Sequence, residues 1–289
     1  MSNLSRSMTR RSFLKHGFGL AAGLFATGGS TYAYSRFIEP GWIEIARMEL
    51  ACPRLPEAFN GVRLLHFSDL HIGFHFDMKD LQSVVGQINS LKPDLVCFTG
   101  DLYDYALSSN EECGQHLSAI QAPLGKFAVF GNHDYYKDYR KIAAIFQAGD
   151  FTLLKNSSTR VEYQDHMMQV AGVDDMWSGK PNLAKALDAL NPDAFTLLLS
   201  HAPDFADIAA ESYVDVQLSG HSHGGQVRLP GLGAVVTPDF GRKYVMGLYK
   251  LNNNRLQVYT NRGIGCSNLP IRLFCRPELT LITLRSAPS

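Results

Sequence analysis

Five apolar runs along this chain each stop at a cluster of Asp, Asn or His, and that repetition constrains the fold more than any other feature. "VRLLHF" leads into Ser68-Asp69-Leu70-His71, "DLVCFT" into Gly100-Asp101, and "GKFAVF" into Gly131-Asn132-His133-Asp134. "FTLLLS" leads into His201, and "VDVQLS" into Gly220-His221-Ser222-His223. Short β-rich runs bounded by Gly or Pro read as strands. Between the first two, Leu81, Val84, Val85, Ile88 and Leu91 recur at spacings of three and four, which predicts one helix face. "SSNEECGQHLSAIQA", "YRKIAAIFQAG", "NLAKALDAL" and "DFADIAAES" are further helix candidates. Strands alternating with helices predict an α/β architecture, whose ligand sites gather at the carboxyl ends of the strands. Every polar cluster falls there. "TLLKNSSTRVEYQDHMMQVAGVDD" and the C-terminal "RLQVYTNRGIG" to "RPELTLITLR" read as further strands of more antiparallel character.

The balance of 27 basic and 27 acidic residues gives no indication of a nucleic-acid partner, so an anionic ligand must be drawn by a local site. The five cysteines show no CxxC pair, which removes a zinc knuckle or a disulfide framework from consideration; Cys97, inside "LVCF", reads as a buried thiol. No GxSxG elbow or P-loop lysine signature is present.

The amino terminus contains Thr9-Arg10-Arg11-Ser12-Phe13-Leu14-Lys15, followed by a Gly/Ala-rich, moderately apolar run from Gly17 to about Ala33. This is the pattern of a twin-arginine export signal and predicts a cell-envelope location, with the twin-arginine translocase as partner during export. The run is diluted by "TGGST" and matches a membrane-spanning helix poorly, so cleavage or loose retention is expected, with an uncleaved tether as the alternative. The expected organisation is a signal over 1–33, a lead-in over 34–60 and one domain over 61–286.

The strand ends together supply Asp69, His71, Asp101, Asn132, His133, His201, His221 and His223. Carboxylate, amide and imidazole donors form a hard-to-borderline set suited to Mn, Fe or Zn. Eight donors exceed what one ion uses. Two ions sharing a carboxylate would take them, and ions about 3.5–4 Å apart clamp the attacking and leaving oxygens of an in-line displacement at phosphorus. Asp-x-His and His-x-His would place both side chains on one side of an extended strand.

"DLH", "GD", "GNHD", a His after an apolar strand, and "GHSHGG", in that order, resemble the motif series of the calcineurin-like metallophosphoesterases over residues 62–285. The twin-arginine start, "EPGW", "GHSHGGQVRLP", "TPDFGRKYVMGLY", "NRGIG" and "RPELTLITL" are similar to an exported phosphodiesterase branch of that family. The resemblance implies a four-layer α/β/β/α sandwich. It implies one metal on Asp69, His71 and His223, a second on Asn132, His201 and His221, and Asp101 bridging them. A hydroxide between the metals would be the nucleophile. His133 would act on the phosphoryl group or leaving oxygen, oriented by Asp134, and Gly224 and Gly225 would let backbone pass close to the metals.

The implied substrate is a phosphodiester. A membrane-surface glycolipid pyrophosphate of the UDP-2,3-diacylglucosamine type is the alternative, and a non-catalytic metal- or envelope-binding module is a third reading, disfavoured by the intact His133-Asp134 pair. Arg242, Lys243, Tyr244 and Arg262 are candidate substrate contacts, since Arg offers phosphate a planar donor fork. Asp104 either supports the site or caps a loop. His66 is expected to pack beneath the site, His75, His116 and His166 to be surface or loop residues, and Asp174-Asp175 with Trp177 to form a turn with solvent-facing acids, with a loop near the site as the alternative.

Overall fold

The structure, a computed structural model, describes Arg11 and residues 27–104, 110–136, 138–253 and 255–286. Most of the expected export signal therefore lies outside the described residues. One six-stranded sheet has the order β1 (Glu44–Cys52), β14 (Glu278–Ser286), β2 (Arg63–Phe67), β3 (Leu95–Phe98), β4 (Lys126–Ala128), β5 (Thr152–Leu153). The other has the order β12 (Gly247–Leu251), β13 (Leu256–Thr260), β9 (Val216–Ser219), β8 (Thr196–Leu199), β7 (His166–Gly172), β6 (Ser157–Tyr163). A small hairpin joins β10 (Arg228–Leu229) to β11 (Gly233–Ala234). Strands β2 to β5 run parallel, as do β7, β8, β9 and β13, so their carboxyl ends collect at one edge of each sheet.

The helices are α1 over 27–37, α2 (Met78–Ser90), α3 (Asn110–Ser118), α4 (Tyr139–Ala148), α5 (Leu183–Leu187) and α6 (Ala206–Ala209). Helix α2 starts where Asp77 and Asp80 form a reciprocal capping box, and it buries Leu81, Val84, Val85 and Ile88, the stripe its spacing predicts.

Three apolar clusters fix the layering. Leu64, Cys97 and Phe127 of the first sheet pack against Val170, Leu197 and Leu218 of the second. The outer face of the first sheet, through Leu65, Phe67 and Phe98, meets α2, α3 and α4. Ala171, Leu198 and Val258 on the outer face of the second meet α5 and α6. The architecture is the expected four-layer α/β/β/α sandwich. Runs such as "LVCF" and "TLLL" are apolar throughout because both of their faces are covered.

Two local expectations change. The segment 34–60 supplies β1, which pairs with β14 over its whole length, so this stretch is an integral edge of the first sheet. The C-terminal strands are only partly antiparallel: β13 runs parallel to β9, and β14 crosses to the other sheet, where it is antiparallel to β2 and parallel to β1. No helix among the described residues is long and apolar enough to cross a membrane. Leu197 sits between the sheets at 1% exposure. Leu197→Ala is expected to lower the unfolding free energy by about 2–5 kcal/mol, read by denaturant titration.

Candidate metal centre

The strands stop short of the chemistry. β2 ends at Phe67 and β9 at Ser219, and the side chains that matter lie in the loops just beyond. Asp69, His71, Asp101, His221 and His223 all have positive φ, between 48° and 67°. Left-handed backbone at a non-glycine residue costs of order 1–3 kcal/mol and persists where surrounding structure over-determines it. The same-side placement of Asp69 with His71, and of His221 with His223, therefore comes from kinked loops and not from the extended alternation expected. The kinks are held by backbone bonds, with Asp69 N–H donating to the Gly100 carbonyl and His71 N–H to that of Asp101. Gly220 is required here: a Cβ would come within 2.2 Å of Asp69 Oδ2 and 2.0 Å of Ser68 Oγ. Gly224 and Gly225 have another reason. Added Cβ atoms would strike Cys275 Sγ and Ala234 Cβ, so these glycines relieve packing behind the loop and not an approach to metal.

The seven expected ligands are all buried, and their carboxylate and imidazole donors cluster as Asp69, His71 and His223 and as Asp101, His201 and His221, with a further cluster of His71, Asp101 and His133. In the first, His223 Nε2 lies 2.9 Å from His71 Nε2 and 3.4 Å from Asp69 Oδ1. In the second, His201 Nε2 lies 3.1 Å from Asn132 Oδ1, 3.1 Å from His221 Nδ1 and 3.2 Å from Asp101 Oδ2. Asp101 Oδ2 is also 3.6 Å from His71 Nε2, so one carboxylate oxygen faces both groups. His221 and His223 fall in different groups.

The proton inventory of the second group tests whether a cation suits it. His201 Nδ1 donates to the Thr99 carbonyl at 2.6 Å, and His221 Nε2 donates to the Asp239 carbonyl at 2.8 Å. A neutral imidazole has one N–H, so with both rings neutral His201 Nε2 and His221 Nδ1 would be lone pairs facing each other beside an amide oxygen and a carboxylate. A single proton placed there can serve only one acceptor, whereas a cation serves all four. The electrostatics agree. Burial works against charge on His201, yet Asp101, then Asp69 and Asp175, lift its imidazole to about 10, so without a cation the ring itself carries the positive charge as a proton on Nε2, which a bound cation would replace. Burial pushes His221 down to about 3 and His71 to about 4, which keeps both imidazoles neutral and ligand-competent at neutral pH. The residues present fit two hard-to-borderline cations.

His133 clusters with His71 and Asp101, outside the first two groups. Its Nδ1 donates to Asp104 Oδ1 at 2.6 Å, and its ring meets His71 edge-on with centroids 4.6 Å apart. Asp134 does not orient it. The Asp134 carboxylate accepts the backbone N–H groups of Gly131, Asp101 and Leu102, tying two loops together beneath the site. Asp104 is thus the orienting acid, leaving His133 Nε2 for the cleft. Burial opposes protonation of His133, but Asp101 and the hydrogen-bonded Asp104 outweigh it and raise its pKa.

A cleft of about 630 Å³ opens over Asp101, Asn132, His133, His221 and His223. None of the expected substrate contacts lines it. Arg242 pairs with Asp239 at the surface, while Lys243 and Tyr244 both bind Asp207. Arg262 is consumed by an ion pair with Glu278, with Glu44 close by. Each cation has a nearer carboxylate, which its neighbourhood in sequence does not announce. Asp174 and Asp175 are buried: Asp174 accepts from the Tyr135 hydroxyl, and Asp175 caps the turn through the Trp177 and Ser178 N–H groups. That turn sets Trp177 edge-on to His221, at 5.7 Å, as a wall of the cleft. Arg272 was not signalled by any motif. Fully buried, it donates to the carbonyls of Arg262, Gly263, Gly265 and Cys275 and approaches His223 Nδ1 at 3.4 Å, bracing the loop behind that ligand. His66 packs beneath the site as expected, bonded to Thr99.

Residues 62–225 match the family model described as calcineurin-like phosphoesterase. The chain is 37% identical to the uncharacterized metallophosphoesterase YkuE of Bacillus subtilis, covering 97% of this chain and 99% of that protein. It is 31% identical to the phosphodiesterase YaeI of Escherichia coli, covering 96% and 99%. Identity to the UDP-2,3-diacylglucosamine pyrophosphatase LpxG of Chlamydia muridarum is 26%, covering 87% and 92%.

The two-group geometry predicts a distinctive pattern of metal loss. Metal analysis of purified protein is expected to show His201→Ala and His71→Ala each losing about half the metal, and Asp101→Ala losing most of it, since ligand removal weakens the ion it serves. Equal loss in all three variants would contradict a shared Asp101.

Proposed function

The chain belongs to the calcineurin-like phosphoesterase family, a family of metal-dependent phosphoester hydrolases, and from that premise we propose that it is an exported phosphodiesterase working with two metal ions. The observation that carries this reading is the single Asp101 oxygen facing both ligand groups, with the non-ligand His133 beside them in an open cleft. Bound divalent or transition cations, Mn, Fe or Zn by donor type, supply Lewis-acid activation of water and neutralise phosphoryl charge. The chain's own residues do the rest. Asp69, His71 and His223 on one side and Asn132, His201 and His221 on the other fix where the reacting phosphorus sits. Carbonyl bonds from Thr99 and Asp239 hold His201 and His221 in the tautomers that point lone pairs inward. His133, fixed from Nδ1 by Asp104, carries a proton on Nε2 toward the phosphoryl oxygens or the departing oxygen. Tyr136 stacks beside His133 and Trp177 beside His221, so both line the cleft. His133 lies close enough to His71 and Asp101 to share a metal with them, but its Nδ1 is tied to Asp104, which favours a role on the substrate over metal holding.

The apolar wall of the cleft, with Val235, Val236, Leu269 and Ile271, favours a second reading: a pyrophosphate carried on a lipid, of the kind named in the UDP-2,3-diacylglucosamine pyrophosphatase LpxG. Faster turnover of UDP-2,3-diacylglucosamine than of a soluble diester would select it. Export by the twin-arginine translocase is supported by the seven-residue pattern around Arg10 and Arg11 and the apolar run after it.

Metal-stripped protein resupplied with Mn, Fe or Zn is expected to cleave bis(p-nitrophenyl) phosphate. His133→Asn should keep its metal and lose about 10²–10⁴-fold in kcat, with Asp104→Asn losing less; full activity in His133→Asn contradicts the assignment. For export, R10K/R11K is expected to leave the protein in the cytoplasmic fraction.

A further inference from the structure

Sixteen large hydrophobic side chains are exposed among the described residues, and nine of them fall in three short stretches, 37–42, 229–236 and 269–274. The stretches are stitched into one surface. Arg228 N–H donates to the Leu273 carbonyl and Leu273 N–H to that of Gln226, which ties the β10–β11 hairpin to the 271–274 segment. The Glu39 carboxylate accepts the N–H groups of Phe274 and Cys275, and Arg276 stacks over Trp42, which ties that segment to the end of α1. At the rim's extremes, Leu232 is 82% and Phe274 62% exposed. Inward, the same surface continues through Val235, Val236 and Leu269 into the wall of the cleft. Large contiguous apolar patches mark interaction surfaces.

The path of the chain says what covers this one. Helix α1 is anchored at its carboxyl end, where the Ser35 carbonyl accepts from Arg272 N–H, while residues 27–33 stand exposed to solvent. The sequence that precedes it carries Arg10, Arg11, Lys15 and the apolar run from Gly17, and the described chain leads from it through α1 to this rim. A basic, moderately apolar leader sequence and an exposed apolar rim at the end of the helix that follows it have matching chemistry for a lipid headgroup layer.

We propose that this rim, formed by the β10–β11 hairpin, the 269–274 loop and the start of the domain at 37–42, docks on a lipid bilayer so that the cleft opens at the headgroup layer. The docking stands whether or not the hydrolase reading does. The five native cysteines are all buried, so a thiol-directed label goes to an engineered site. Full-chain L232C and F274C, labelled with an environment-sensitive fluorophore, are titrated with vesicles of phosphatidylethanolamine and phosphatidylglycerol. D165C, in the turn between β6 and β7 at the amino ends of the parallel strands, serves as the far-side control. The expected result is a blue shift with rising intensity at Leu232 and Phe274 and none at Asp165. No shift at the first two, or an equal shift at all three, overturns the proposal. A shift that appears on raising protein concentration without vesicles assigns the rim to a second copy of the chain and overturns it as well. Cleavage of bis(p-nitrophenyl) phosphate by the same samples reports separately on hydrolase activity.

Discussion

Asp69 and Asp101 are buried carboxylates with no lysine or arginine paired to either among the described residues. A buried charge left uncompensated is costly, and proteins resolve it with a partner ion, a proton or a dense set of hydrogen bonds. Here the surroundings are imidazoles and an amide oxygen, with His201 Nε2 and His221 Nδ1 turned inward by carbonyl acceptors behind the rings. Such a cluster makes sense only around positive charge. The backbone pays for it elsewhere, with five ligand residues in left-handed conformations.

The sandwich makes that concentration of charge tolerable. Its apolar inter-sheet core lies behind the site, while the parallel strands deliver their loops to a common edge. Asp134 illustrates the coupling between fold and site: three backbone N–H groups converge on its carboxylate and lock the Asp101 loop to the Gly131 loop. Arg272 does the same for the loop behind His223. Neither residue needs to touch a substrate to decide where the ligands sit.

Much of this was readable from the order of motifs after apolar strands. The helix stripe of α2, the fully buried central strands and the four layers follow from periodicity and from the family resemblance. What escaped has a common physical origin in tertiary contact. Asp104 and Asp134 are both acids near His133 in sequence, and only the loop trajectories show that Asp104 reaches its ring while Asp134 turns to the backbone. Arg242, Lys243 and Arg262 looked available for phosphate because their partners, Asp239, Asp207 and Glu278, are set by folding. The apolar rim is dispersed over three segments and has no local signature at all.

The central claim is that Asp101 is shared by two cations, and anomalous scattering from crystals grown with Mn or Zn tests it most directly. The account predicts two peaks about 3.5–4 Å apart. They should straddle the Asp101 carboxylate, one against Asp69, His71 and His223 and the other against Asn132, His201 and His221. A single peak, or a pair that leaves Asp101 out of contact with either ion, would contradict it.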